Sequence, residues 1–277
     1  MPLFRFTIIF VEQAIINNFF PTSLNKYNMN QHETIQQMRA LKLSGMLTAY
    51  QNILNLPLDQ QPTADQLLAH LLEAEYLERL NKKMLSCIRT ARFRYQAIVE
   101  EIQYLPQRGL DKNLILRLAD TSFIKRGENV FITGATGCGK SYIASALGYQ
   151  ACQAGFKVGY FSMPKLLQRL QFARAEGSII KELAKLEKLN LLILDDWGLQ
   201  PLDTPAKLSL LQLIEDRHGR NATIMTSQLP VAQWFDYIAE PTLADAILDR
   251  LMQQVHRIEL KGESMRKSQK SKDNLNP

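Results

Sequence analysis

Two short stretches hold residue types that could do chemistry. The first, Gly134-Ala135-Thr136-Gly137-Cys138-Gly139-Lys140-Ser141, fits the pattern G-x-x-x-x-G-K-[ST]. Glycines at these positions let successive backbone N–H groups turn inward as an anion nest, and a helix starting at Lys140 adds the partial positive charge of its N-terminus. Lys140 can then reach the β- and γ-phosphates of a nucleotide, and the Ser141 hydroxyl can ligate Mg²⁺. The second stretch, LLILDDWG at 191–198, places four apolar residues directly before Asp195 and Asp196. An ionised carboxylate in the interior costs several kcal/mol unless a partner or metal compensates it. Either the strand ends there and both acids face water, or something positive sits beside them.

The elements around these stretches can be read from the pattern. Asn129–Thr133, Lys157–Phe161, Leu191–Leu194 and Ala222–Thr226 are short β-prone runs. Helical segments separate them: Lys140 to about Ala154, closed by Gly155, then Pro164–Ala175, Ile179–Lys188 and Ala206–Arg217. The last has Thr204 as its expected N-cap and Pro205 in the first helical position. Strands alternating with helices predict an α/β fold, a parallel sheet covered by helices on both faces. In such a sheet the strand ends share an edge with the phosphate turn. Asp195 is then delivered to the metal, and Asp196 can polarise an attacking water.

Two further positions follow from the same geometry. The fourth strand ends in Thr226-Ser227-Gln228, where Gln228 can reach both a γ-phosphate and a lytic water; an ordinary polar strand end is the plain alternative. Arg250, in Leu248-Asp249-Arg250-Leu251 at the close of a short helix begun near Thr242, could stabilise charge on a neighbouring subunit's nucleotide. It could equally be a surface salt-bridge residue.

The chain has 277 residues, enough for one substantial domain and a smaller one. Residues 1–28 read as an extension upstream of the natural start at Met29, 29–120 as an all-helical domain for DNA binding and oligomerisation, 121–268 as the nucleotide domain, and 269–277 as a basic disordered tail. Thr63 and Gln66 form a capping box ahead of a long helix. Three cysteines without metal spacing suit a reducing cytoplasm, and no apolar run approaches the ~20 residues of a membrane span. The formal charge of +6 suits a polyanionic partner. Between 82 and 94 the chain carries Lys82, Lys83, Arg89, Arg92 and Arg94 and no acid. On a helix, Lys82, Arg89 and Arg92 would share a face able to neutralise DNA phosphates. A merely solvated face is the alternative.

Taken together, these motifs resemble the AAA+ ATPases, and more closely the IstB-like helper ATPases of transposition, relatives of the DnaC and DnaI helicase loaders. LLILDDWG, ATIMTSQLP, ILDRL and the helical segment from Met29 to Leu47 carry the resemblance, which covers about residues 30–268. It implies ATP and Mg²⁺ as cofactors, Lys140 and Ser141 as the nucleotide and metal residues, and Asp195 with Asp196 as the Walker B pair. It further implies Gln228 at the sensor-1 position, Arg250 as the arginine finger, and Arg266 in a sensor-2 role. The implied partners are double-stranded DNA bound without sequence preference, a cognate transposase, and further copies of the chain in an ATP- and DNA-dependent homo-oligomer.

Two departures stand out. AAA+ proteins usually carry Glu where this chain has Asp196, and the short stretch after Arg266 implies an absent or truncated lid. A helicase loader shares these motifs and differs in its protein partner. A small-molecule kinase and a nucleotide-gated scaffold with negligible hydrolysis are readings from other classes.

Overall fold

The structure, a computed structural model, describes residues 31–262 together with Ser264 and Met265. Expectations for residues 1–28 and 269–277, and for Arg266, lie outside the described residues. Two compact units divide between Asn81 and Lys82.

In the first unit α1 (Gln31–Ala40) and α2 (Ser44–Leu54) precede the long α3 (Ala64–Ala91), whose residues from Lys82 onward fall in the second unit. The box ahead of α3 forms in part, with Thr63 N donating to Gln66 Oε1 at 3.1 Å. Glu75 of α3 serves α2, whose first amides would otherwise lack partners. Its Oε2 accepts from Gly45 N at 2.9 Å and Met46 N at 3.3 Å. Arg79 donates to the other oxygen at 2.8 Å. That arginine first, then the two amides, hold the Glu75 carboxyl below its usual range against the effect of burial.

In the second unit five parallel strands lie in the order β2-β3-β4-β1-β5. They are β1 (Asn129–Gly134), β2 (Val158–Ser162), β3 (Leu191–Trp197), β4 (Ala222–Ser227) and β5 (Val255–Leu260). The helices of this unit are α4 (Lys112–Ala119), α5 (Ser122–Lys125), α6 (Lys140–Gln153), α7 (Met163–Ala175), α8 (Ile179–Glu187), α9 (Thr204–Arg217), α10 (Trp234–Ile238) and α11 (Pro241–Met252). Strand side chains alternate between two cores. Val130, Ile132, Ile193 and Ile224 pack with Ile143 and Leu147 of α6 on one face. Phe131, Leu192, Leu194 and Met225 pack with α7, α9, α10 and α11 on the other. Because both faces are covered, the strands read as continuous apolar runs.

The fold departs from the sequence reading in four places. Residues 82–120 do not belong to the helical first unit: Val99, Ile102 and, on α4, Ile115 and Leu118 are buried in the core that α6 shares. Strand β5 was not foreseen; only Ile258 and Leu260 of it are buried, so its apolar signal is weak. β3 does not end at Leu194 but carries both aspartates and Trp197. The N-cap of α9 is Asp203, whose carboxylate accepts from Ala206 N at 2.8 Å, so Thr204 is already helical.

Candidate nucleotide-binding site

The turn between β1 and α6 is built to expose amides. Gly137 and Gly139 adopt φ of 83° and 94°, which side-chain-bearing residues resist. A Cβ on Gly137 would lie 2.1 Å from Ser264 Oγ, so the segment after β5 sits directly on the turn. Met265 N donates to Gly137 O at 3.0 Å and fixes that approach. Lys140 is buried at the start of α6, and its Nζ donates to Gly134 O and Ala135 O, both at 2.8 Å. The ammonium thus braces the turn from inside, within reach of any phosphate the turn cradles.

Asp195 answers the question its position raises. It is fully buried, at 0% exposure, yet four side chains donate to it. Ser141 Oγ reaches Oδ1 at 2.8 Å, and Arg94 Nη1 reaches Oδ2 at 3.0 Å. Thr226 of β4 donates to Oδ1 and Tyr160 of β2 to Oδ2. Burial alone would raise the carboxyl; the bonds from Thr226, Tyr160, Ser141 and Arg94 outweigh it and hold the group below its usual range. Burial, then the charge of Asp195, push the Tyr160 phenol far up, so it stays a proton donor. A hydroxyl and an ionised carboxylate in contact are hard oxygen ligands of the kind Mg²⁺ takes, and the pair fits that ion.

Asp196 reaches the site by a distortion. The β3–β4 register shifts between Leu194 and Trp197, and Asp196 has φ of 64°. Among side-chain-bearing residues, Asp and Asn tolerate this left-handed region best. Its amide donates to Thr226 Oγ1 at 3.1 Å, anchoring the irregular backbone. The irregularity separates the two acids: Asp195 points inward to four donors, whereas Asp196 keeps 21% side-chain exposure and lines the cavity.

That cavity, about 680 Å³, is also lined by Lys140, Ser141, Gln228, Arg94 and Arg108. Gln228 is exposed at the end of β4, the strand between β1 and β3, so it stands between the two motifs. Ala135, Thr136 and Cys138 complete the turn, Cys138 buried beneath it. Arg94 does not lie on a basic helical face. Its guanidinium bridges Asp195 and Asp196, at 3.0 Å to each. Arg92 has also left the helix, with φ of 56° just beyond α3, so the shared face is reduced to Lys82 and Arg89, with Lys83 beside them; all three are exposed.

Arg250 stands away from its own chain's cavity. It sits in the last turn of α11 beside Gly127, Asn129 and Arg217, at the edge where the strands begin. β1 runs six residues from there to the phosphate turn, roughly 17 Å at the usual strand rise. Its Nε is ion-paired with Glu215, and its Nη1 donates to Ala246 O at 2.7 Å.

Sequence reasoning missed Tyr160 and Thr226 as partners of Asp195, and it misplaced Arg94. Thr226 carried a legible signal, a hydroxyl residue at a strand end beside the aspartate strand. Tyr160 depends on the pairing of β2 with β3. Arg94 comes from a loop about a hundred residues upstream, with nothing local to announce it.

A phosphate turn after β1, a buried aspartate on β3 bonded to the serine that follows that turn, and β4 inserted between them define a P-loop protein of the AAA+ class. Solved structures agree on the fold. The crystal structure of DnaI superposes with a TM-score of 0.52 at 19% identity, covering 61% of this chain and 90% of that one. The DnaC helicase loader gives 0.51 at 18%, covering 60% and 98%.

The chain belongs to the IstB-like ATP binding proteins, whose family pattern matches residues 36–273. It is 41% identical over 241 residues to the insertion sequence ATP-binding protein y4pL of Sinorhizobium fredii, covering 87% of this chain and 98% of the relative. The insertion sequence IS21 ATP-binding protein of Pseudomonas aeruginosa is 29% identical over 241 residues, covering 87% and 91%. Among the described residues, no helix is long and apolar enough to cross a membrane.

Proposed function

We propose that this chain binds Mg-ATP at the phosphate turn and hydrolyses it, and that its ATP-bound form assembles on duplex DNA to assist a cognate transposase. The observation that carries the reading is the Ser141–Asp195 contact, which joins the two motifs at the edge of the cavity. Mg²⁺, held by Ser141 and Asp195, would neutralise charge on the β- and γ-phosphates. The amides of 135–141 cradle the phosphates, and Lys140 adds a cation to them. Asp196, aimed into the cavity by its left-handed backbone, orients the attacking water and takes its proton. Gln228 hydrogen-bonds the same water or the γ-phosphate.

Arg250, set at the far edge of the sheet, acts on a neighbouring copy's nucleotide, which makes hydrolysis depend on assembly. Exposed Lys82, Lys83 and Arg89 neutralise DNA phosphates without reading sequence. The insertion-sequence relatives, at up to 41% identity, support a transposition partner over a replicative helicase. The test is ATPase activity with and without duplex DNA, beside electron microscopy of the protein on DNA with and without ATP. Stimulated turnover and ATP-dependent assemblies on DNA support the proposal. Turnover indifferent to DNA, with no assembly, overturns it.

A further inference from the structure

Arg108 is 5% exposed, a rare setting for a guanidinium, and among its described contacts there is no carboxylate. It lies on a tight turn, Pro106–Arg108, ended by Gly109 in the left-handed region, φ 64°. Lys261 N donates to Arg108 O at 2.9 Å and ties this turn to the end of β5, beside the phosphate turn. Its guanidinium has three outlets. Nη2 donates to Cys138 O at 2.9 Å, Nη1 donates to Gln103 O, and the buried Nε has no partner. Nη2 also stands 2.8 Å from where a Cβ on Gly139 would be, so the guanidinium presses on the turn itself.

Two carbonyl oxygens satisfy donors but do not neutralise a charge. Burial without an acid pushes the Arg108 group down from its ordinary value, and the guanidinium remains a cation, as arginine does in proteins. A buried cation of this kind is unfavourable until an anion arrives. The cavity it lines is also lined by Thr136, Gly137, Gly139, Lys140 and Ser141, where the anion would be a phosphate chain. Turns of this pattern hold the α- and β-phosphates on their amides, while the lysine reaches toward the β- and γ-phosphates.

We propose that Arg108 is a second phosphate-binding cation, pinned on the Cys138 carbonyl and serving the α- and β-phosphates of the nucleotide from the segment that precedes α4. The assignment rests on the reading that this cavity binds a nucleoside triphosphate. It gives the loop before the sheet a direct part in binding.

The test measures ATP and ADP affinity by calorimetry, and the rise in melting temperature that ADP produces, for wild type, Arg108→Gln and Arg108→Lys. Wild type must bind both nucleotides and Lys140→Ala must fail; otherwise the underlying reading fails, not this inference. Arg108→Gln should weaken ADP and ATP alike, each by roughly ten- to hundredfold, and lose most of the ADP-induced rise. Arg108→Lys, which keeps a charge without the fork, should recover part of both. ADP affinity unchanged in Arg108→Gln would overturn the proposal. So would a lower melting temperature without nucleotide accompanied by an undiminished ADP-induced rise, because a purely structural arginine behaves that way.

Discussion

Ser141 donates to Asp195 across 2.8 Å, from the first turn of α6 to the carboxyl end of β3. The two residues are 54 positions apart, and the parallel sheet brings them to one edge. Asp195 is ionised, buried and surrounded by donors, whereas Asp196 faces the cavity. The two acids should therefore fail differently. Asp195→Asn should lose Mg²⁺-dependent ATP binding and turnover together. Asp196→Asn should keep ATP and lose turnover, and its trapped ATP state should hold DNA longer than wild type. Nucleotide affinity measured beside turnover decides this; an equal loss of affinity in both variants would deny Asp196 a separate role.

Acid sensitivity follows from the donors on Asp195. Its carboxyl lies below the usual value in the fold, so the stability it contributes is present above the ordinary carboxylate range. That stability is lost as pH falls through the lower folded value. Tyr160→Phe or Thr226→Val removes a donor and raises the folded value, so acid unfolding should begin at higher pH. Each variant should also cost about 1–3 kcal/mol at neutral pH. Denaturant titrations at neutral and acid pH check both effects. An acid midpoint that does not move would mean these hydroxyls do not support the charge.

Arg94 bridges Asp196 and Asp195, the carboxylate a metal would use, so guanidinium and cation compete for Asp195. Arg94→Ala should lower the Mg²⁺ concentration needed for half-maximal ATP binding. A magnesium titration at fixed ATP reads it. A higher requirement would instead make Arg94 part of the bound state.

Much of this site was legible because its chemistry is local. The phosphate turn needs glycines and a lysine at fixed spacing, and the aspartate pair follows an apolar run. What escaped depends on distance along the chain or on backbone irregularity. Nothing in LLILDDWG says that Asp196 adopts a left-handed φ or that β3 continues to Trp197. Arg94 looked like one more basic residue because its partners lie about a hundred residues on. Residues 82–120 looked like part of a helical domain because the sheet that buries Ile115 and Leu118 lies further along the chain. β5 is half exposed, and its alternation is short.

The basic face can be tested by charge. Lys82 and Arg89 are seven residues apart on α3, two turns along one side. Reversing either should weaken DNA binding for all sequences alike and reduce the log–log salt slope by roughly 0.9 per lost contact. Binding measured across a salt series is the check, and an unaltered slope returns this face to solvent.

Arg250 requires a neighbour to act. Arg250→Ala should bind ATP nearly normally and fail to hydrolyse it, with a loss of about 10³–10⁵ in rate if it serves as a finger. Mixing it with Lys140→Ala joins a chain that has the arginine but no nucleotide to one that has nucleotide but no arginine. Mixed assemblies should recover activity. ATPase that stays at the sum of the parts, while mixed complexes demonstrably form, would show that Arg250 does not work in trans.

The central claim is that the turn at 134–141 holds a nucleotide through Lys140 and Ser141. Calorimetric titration of Mg-ATP into wild type and into Lys140→Ala, with folding of both checked by circular dichroism, tests it most directly. The account predicts saturable binding at one site per chain in the wild type and none, or severely weakened binding, in the variant. Equal affinity in the two proteins would contradict it.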